Sequence, residues 1–265
     1  MIEYVLWAAL ALLAIASVVP SRPRAQRILG AWGWALFGVH WGLQPLKYMA
    51  IDDYFNVGLT AVVALFCFFM AYCMLRGSDR DTLNRATAAT AIGGLVYFMF
   101  AETTLNRLII SLVTDQTLWA MWMLKIPAGR LDWNIITLNG YRVEIVLACT
   151  AIESMALFIG TIFGVNAPAK RILAAFAVSV PVIYILNLVR NVFIIAAYGL
   201  GWFGTAEQSF YIAHAVVAKI GSTIALFIIA YAVLRILPEL FLLIDGVFQL
   251  IQVQVRHLIG GHNAG

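Results

Sequence analysis

The stretch ILAAFAVSVPVIYILNLVRNVFIIAAYG, residues 172–199, decides the fold of this chain. It carries a single charged side chain, Arg190, and it is longer than the roughly 20 apolar residues that a membrane helix needs. Of the 265 residues in the chain, 63% are hydrophobic and 11% are charged. Soluble domains are nearer to half apolar and a quarter charged. The sequence therefore predicts an integral membrane protein.

Working outward from this stretch, hydropathy predicts an all-α polytopic membrane protein with about seven transmembrane helices. The predicted spans are roughly 2–19, 30–47, 54–75, 87–113, 149–164, 172–199 and 212–235. We expect one integral membrane domain over 1–265, comprising N-terminal helices in 1–84, a catalytic core in 85–236 and a cytoplasmic tail in 245–265. Positive charge follows the first apolar segment instead of preceding it, so this segment is expected to stay as a helix and not to be cleaved as a signal peptide.

The distribution of basic residues predicts the orientation of these spans. Ten Lys and Arg side chains fall on one side and four on the other, while Arg107, Arg190 and Lys219 lie within spans, which accounts for all 17. Because cytoplasmic loops carry the excess of Lys and Arg, the N-terminus is predicted outside and the C-terminus in the cytoplasm. The basic residues are spread and not clustered, so no nucleic-acid partner is expected.

The segment 114–148 then lies outside the membrane and precedes the predicted cysteine helix. Its stretch IITLNGYRVEIV, residues 135–146, alternates apolar and polar residues around Asn139-Gly140. Asn-Gly is the strongest short signal for a type I′ turn, so we predict a short extracytoplasmic β-hairpin.

Cys149 lies in ACTAIES, residues 148–154, at the predicted outer start of the fifth span. A helix N-terminus favours a thiolate and offers backbone N–H groups to an oxyanion. The alternative is a packed small residue, which is the ordinary role of a lone membrane cysteine. The other two cysteines, Cys67 and Cys73, lack the paired spacing of a disulfide framework or a zinc site, and no metal or cofactor is expected.

Two further polar residues fall toward the same outer face. Arg190 is costly within a membrane span unless it is paired or functional, and the structural alternative is an ion pair with Glu153 or Glu102. His214 can exchange protons near neutral pH, and its alternative is an interfacial histidine with a local hydrogen bond. A thiol, a guanidinium and an imidazole on one face predict thiol acyl transfer, with Asn187 and Glu153 in supporting roles because they share helix faces with Arg190 and Cys149.

These motifs, in this order, resemble the exosortase/archaeosortase family of polytopic membrane transpeptidases. ACTAIESM resembles its cysteine motif, NLVRN its arginine motif and AHAVVAKIGS its third, usually histidine, motif. The form of the cysteine motif is most similar to the archaeosortase A branch, where the third residue can be arginine. Arg235 is therefore the rival of His214, although its predicted position is at the cytoplasmic end of the last span.

The resemblance implies an enzyme that acts on exported proteins with a C-terminal sorting signal: a short motif such as Pro-Gly-Phe, a transmembrane helix and a basic cluster. It implies removal of that helix and transfer of the new C-terminus to a membrane lipid. The expected roles are nucleophile for Cys149, oxyanion and thiolate stabilisation for Arg190, and general acid and base for His214.

Three other classes remain open from the residues. A transporter or channel could use Glu102, Arg107, Glu153, Arg190 and Lys219 along a path. An intramembrane cysteine protease would cleave without lipid transfer, and a structural assembly subunit would not need Cys149. The oligomeric state is not predicted.

Overall fold

The computed structural model describes residues 2–18 and 23–260, and most of them are helical. The helices and strands are α1 Ile2–Val18, α2 Pro23–Met49, α3 Tyr54–Arg76, α4 Arg80–Ala101, α5 Leu105–Met123, β1 Gly129–Asp132, β2 Ile135–Leu138, β3 Tyr141–Glu144, α6 Ile152–Gly164, α7 Ala169–Leu200, α8 Ala206–Tyr211, α9 Ala218–Ile236 and α10 Pro238–Gly260. The predicted tail from residue 245 thus begins inside α10, and its last five residues, 261–265, lie outside the described residues.

The chain is an all-α membrane protein apart from one small sheet. Within the described ranges, three helical segments are individually long and apolar enough to cross a membrane: 54–76, 169–200 and the continuous segment 206–236. A bent pair, α4 with α5, passes the same criterion together and makes a fourth if it is one span. α6 has 13 residues, about 20 Å of helix, which is shorter than a hydrocarbon core of about 30 Å.

The predicted fourth span, 87–113, differs from the structure because the helix breaks within it. α4 ends at Ala101, α5 starts at Leu105, and the two axes differ by 78°. The break falls on Glu102-Thr103-Thr104, where the Thr103 hydroxyl donates back to the Met99 carbonyl. Such side-chain to backbone bonds compete with the helical ladder, which gives a physical reason for the bend.

One compact unit comprises the described residues of 1–95, 160–167 and 238–265. Small residues on α2 allow its neighbours to approach closely: a Cβ on Gly33 would lie 2.9 Å from Leu13, and one on Gly38 would lie 3.0 Å from Phe68. Trp34 is buried in the same unit and donates to the Thr87 hydroxyl at 2.9 Å. The glycines of α2 therefore serve close helix packing.

The second compact unit comprises 96–159 and 168–237. Its sheet has the order β1-β2-β3 with antiparallel pairing, and Ile136 and Leu138 of β2 pack on buried residues of α5 and α7. Asn139 and Gly140 have φ of 52° and 83°, the two positive values that a type I′ turn requires, so the predicted hairpin is confirmed. Strand β1 was not predicted.

The hairpin is fixed to the end of α7. The Asn139 amide donates to the Gly199 carbonyl at 2.9 Å, and Leu138 is 2% exposed. A Cβ on Gly199 would lie 2.5 Å from the Leu138 side chain, so the absence of a side chain at 199 permits the contact. This attachment sets the position of the chain that leads from β3 to Cys149.

Candidate functional site

Cys149 lies on a short 3₁₀ turn, Leu147–Thr150, and not in the first turn of α6 as predicted. Its N–H donates to the Val146 carbonyl at 2.8 Å, and the Thr150 hydroxyl donates to the Leu147 carbonyl at 2.6 Å. The next residue, Ala151, adopts φ 59° and ψ 15°, a left-handed conformation that a residue with a Cβ rarely accepts. Such a residue costs of order 1–3 kcal/mol and is typical of functional sites. The cysteine is therefore presented on a strained turn directly before a helix.

Two buried asparagines hold the backbone of this turn. The Asn187 amide donates to the Cys149 carbonyl at 2.7 Å, and the Asn191 amide donates to the same oxygen at 2.9 Å. Both belong to α7, four residues apart on one face, and both are less than 10% exposed. One carbonyl oxygen has two acceptor lone pairs, so both bonds can be made together. α7 therefore fixes the position of Cys149 through its main chain.

The Cys149 thiol is free and half-buried. Its side chain packs against the buried cluster formed by α5, β2 and α7. Ala148, in the same turn, and Ala151, directly after it, line a cavity, whereas Cys149 is not among the lining residues. The turn thus lies between a packed core and an open space.

The cavity has a volume of about 510 Å³ and is bounded by four segments of the second unit. These are the cysteine turn with the start of α6, the second half of α7, the segment Ile212–Val217 and α9. Its polar lining residues are Glu153, Ser154, Asn187, Arg190, His214, Lys219, Ser222 and Thr223. Its apolar lining residues are Ala148, Ala151, Ile183, Leu186, Ala215, Ala225, Leu226 and Ile229.

Arg190 lies on the cavity wall and is half-buried. Within the described residues it forms no hydrogen bond and no ion pair, so the predicted alternative of a structural pair with Glu153 or Glu102 is not seen there. Its guanidinium is near enough to His214 for an electrostatic interaction. A half-buried cation on a cavity wall can stabilise a negative charge that enters the cavity.

His214 lies in a π-helical turn, Ile212–Val217, between α8 and α9. Such turns are rare and frequently occur at functional sites. The imidazole stacks on the Phe210 ring with centroids 5.2 Å apart and planes within 5°. Phe210 contacts Tyr198, which in turn contacts Tyr141 of the hairpin. An aromatic row therefore holds the histidine ring against the cavity.

The other sequence candidates divide between this cavity and the rest of the fold. Glu153 and Lys219 line the cavity. Arg235 is exposed in the last turn of α9 and is not among the lining residues. Arg107 lies over the Trp133 ring at 5.1 Å, and Glu102 lies in the break between α4 and α5.

Sequence reasoning missed three residues of this site. Asn191 is the last residue of NLVRN, and its spacing of four from Asn187 was the available signal. Phe210 lies four residues before His214, which is the spacing of a stacked pair on a helix. Nothing in the local sequence indicated that Ala151 would adopt a left-handed conformation, since glycine is the residue expected there.

The fold and cavity describe a helical membrane protein with a cysteine, an arginine and a histidine collected in one unit. The model of the transmembrane exosortase family matches residues 2–234, so the chain belongs to this family of membrane sorting enzymes. It is 28% identical to archaeosortase A of Natronomonas pharaonis over 262 residues, covering 88% of this chain and 82% of that protein. It is also 28% identical to archaeosortase A of Haloferax volcanii over 281 residues, covering 92% of each. No solved structure matches the chain.

Proposed function

We propose that this protein is a cysteine transpeptidase that removes the C-terminal sorting signal of exported proteins and transfers the new C-terminus to a membrane lipid. The observation that supports this most is one cavity that is lined by Arg190, by His214 and by Ala148 and Ala151, which flank Cys149 and Thr150 in the chain. The guanidinium and imidazole of this cavity, with the Cys149 thiol on the adjoining turn, are the chemical groups that acyl transfer through a thioester uses, in a chain of the exosortase family.

In the first step Cys149 attacks the scissile carbonyl. Rotation about its Cα–Cβ bond turns the thiol from the core cluster into the cavity, and His214 accepts the thiol proton. A C–S bond forms, the carbonyl oxygen takes the negative charge, and Arg190 donates to that oxygen. A donor of this kind is worth about 3–4 kcal/mol of barrier. When the C–N bond breaks, His214 returns the proton to the leaving amine and a thioester remains.

In the second step an amine or hydroxyl of a lipid head group attacks the thioester carbonyl. His214 accepts its proton, the C–S bond breaks, and the proton returns to the Cys149 thiolate. The products are the lipid-linked protein and the free thiol. If water is the nucleophile instead, the product is a free carboxylate, which is the outcome for a protease without lipid transfer.

The charge distribution along the sequence supports the placement of this chemistry. With the N-terminus outside, the cysteine turn faces the extracytoplasmic side, where the motif of an exported substrate leaves the membrane. A sorting signal that carries its basic cluster in the cytoplasm would then present its scissile bond on the same side as Cys149.

The test uses a variant with Cys149 as its only thiol, made by the substitutions Cys67→Ala and Cys73→Ala. The purified full chain is incubated in lipid with a peptide that spans a Pro-Gly-Phe motif and its apolar segment. We expect a hydroxylamine-sensitive adduct on Cys149 by mass spectrometry and a lipid-linked product. Cys149→Ser should yield neither, and cleavage of the peptide by Cys149→Ala would overturn the proposal.

The assignment of the third residue is tested in the same assay. His214→Ala should reduce the rate of thioester formation by about 100-fold or more, the usual contribution of a general acid and base. Arg235→Ala is the matched substitution, because Arg235 is exposed at the far end of the same helical segment. A large loss for Arg235→Ala with none for His214→Ala would transfer the role to Arg235.

A further inference from the structure

The cavity extends along α9 beyond the groups that acyl transfer needs. After His214, its lining includes Lys219, Ser222 and Thr223, and further along the helix Leu226 and Ile229. From His214 to Ile229 the helix rises by about 22 Å, because each residue adds about 1.5 Å. The lining therefore changes from polar to apolar along one helix.

Lys219 has no role in the chemistry proposed above, yet it lies within a segment long and apolar enough to cross a membrane. A lysine in a membrane span costs several kcal/mol unless an anion or water compensates it. Within the described part of the chain, the cavity contains two cations, Lys219 and Arg190, and one carboxylate, Glu153, and no ion pair joins them within 4.0 Å. The cavity therefore carries an excess of positive charge that suits an anion.

A hydroxyl group lies on the same helix face as this lysine. Ser222 is three residues after Lys219, is half-buried, and makes no side-chain hydrogen bond to another described residue. The neighbouring Thr223 hydroxyl, by contrast, donates to the Lys219 carbonyl at 2.8 Å. An ammonium and a free hydroxyl on one cavity wall can both donate to the oxygens of a phosphate.

The apolar end of the cavity reaches the protein surface. Leu186 of α7 lines this part of the cavity and is 42% exposed. In a membrane protein such exposed side chains face hydrocarbon. A ligand with an apolar chain can therefore enter from the side, with its chain along Leu226 and Ile229.

We propose that this cavity binds a phosphate-bearing membrane lipid. Lys219 and Ser222 hold its phosphate, Leu186, Leu226 and Ile229 contact its chains, and its head group points along the cavity toward His214. The bound lipid is then the acyl acceptor, and Lys219 is a positioning residue for the second step. These two roles rest on the proposed function.

Lipid binding is tested on the full chain in maltoside micelles with photoactivatable phosphatidylethanolamine as the probe. We expect cross-links on α7 and α9 that phosphatidylethanolamine displaces, whereas diacylglycerol, which lacks the phosphate, and glycerophosphoethanolamine, which lacks the chains, displace poorly. Lys219→Gln should weaken binding by about 10-fold, equivalent to about 1.4 kcal/mol. Lys219→Arg should retain binding, and the matched control Lys170→Gln, at an exposed lysine of α7, should leave it unchanged.

Two results would overturn the lipid site: equal cross-linking of Lys219→Gln and the original chain, or equal competition by the soluble head group, which would indicate a free-phosphate site. Turnover separates this inference from the proposed function. With peptide present, Lys219→Gln should still form the Cys149 thioester but give about 10-fold less lipid-linked product relative to hydrolysed product. If no thioester forms in the original chain while cross-linking depends on Lys219, the enzyme proposal fails and the lipid site stands.

Discussion

The two asparagines that hold the Cys149 carbonyl give the most specific prediction about this site. Asn187→Ala and Asn191→Ala each remove one hydrogen bond to the same oxygen. A typical bond contributes about 1 kcal/mol net, and the remaining asparagine still satisfies the oxygen. We therefore expect each single substitution to lower the free energy of unfolding by about 1 kcal/mol.

The double substitution should cost more than the sum of the two. It leaves the carbonyl of a half-buried residue without either donor. An unsatisfied buried acceptor costs a further 1–3 kcal/mol, roughly, so the loss for the double variant should be about 3–5 kcal/mol. The coupling energy of the double-mutant cycle is then about 1–3 kcal/mol.

Reversible unfolding in mixed micelles, followed by tryptophan fluorescence, measures the four free energies. The matched control is Asn106→Ala, because the Asn106 amide is half-buried and only reaches the Ala101 carbonyl at 3.5 Å. This variant should change stability by less than about 0.5 kcal/mol. A coupling energy within about 0.5 kcal/mol of zero would show that the two amides do not share the Cys149 oxygen.

The same single and double variants can be compared by the rate at which the Cys149 thiol reacts. Displacement of a reacting group by about 1 Å can cost about 100-fold in rate. The double variant should therefore react with peptide about 100-fold more slowly than the original chain, while each single variant loses much less. Equal rates for the double variant and the original chain would refute a positioning role for α7.

Two further predictions concern contacts that hold the hairpin and the histidine. Gly199→Ala should lower the free energy of unfolding by about 1–3 kcal/mol, because its Cβ would lie 2.5 Å from Leu138. Thermal unfolding measures this loss. The control Gly221→Ala, whose Cβ would have nothing within 4 Å, should not destabilise the protein. Phe210→Leu should reduce kcat/KM for the peptide about 2–10-fold through loss of the stack on His214, and Phe210→Tyr should restore it. An undiminished rate for Phe210→Leu would mean that the stack does not position the imidazole.

The sequence predicted those parts of the fold whose signals are local. Asn139-Gly140 between alternating residues was sufficient for the hairpin, and apolar length was sufficient for the helices 54–76 and 169–200. The break at Glu102 was not predicted, because two polar side chains in an apolar run are as compatible with a straight buried helix as with a bend. β1 has no alternation of its own, and its pairing with β2 includes an irregularity between Arg130 and Asp132.

In the candidate site, too, the sequence predicted the features with local signals and missed those that depend on tertiary contacts. Cys149, Arg190 and His214 were selected because polar groups in apolar spans are costly, which is a property of single residues. The spacing of Asn187 and Asn191 indicates only a shared helix face, whereas the two hydrogen bonds to the Cys149 carbonyl depend on how two distant segments meet. The left-handed conformation of Ala151 had no signal in the local sequence. The shared cavity wall of His214 and Lys219 was missed for a further reason, which is their spacing of five.

An ordinary α-helix advances about 100° per residue, so residues five apart point about 140° away from each other. His214 and Lys219 nevertheless line one cavity, and the wide turn over Ile212–Val217, with its bond from Ala218 N–H to the Ala213 carbonyl, is the local feature that alters the usual register. If the turn took up regular α-helical winding at constant length, His214 would rotate by about 100° relative to Lys219. If one residue between them were also deleted, the pair would be four apart, about 40° from each other, and would share a face again. In chains of this kind, a wide turn with five residues of separation and a regular helix with four are therefore two equivalent ways of presenting the same pair of side chains, and a one-residue gap at this turn is compatible with an unchanged cavity wall.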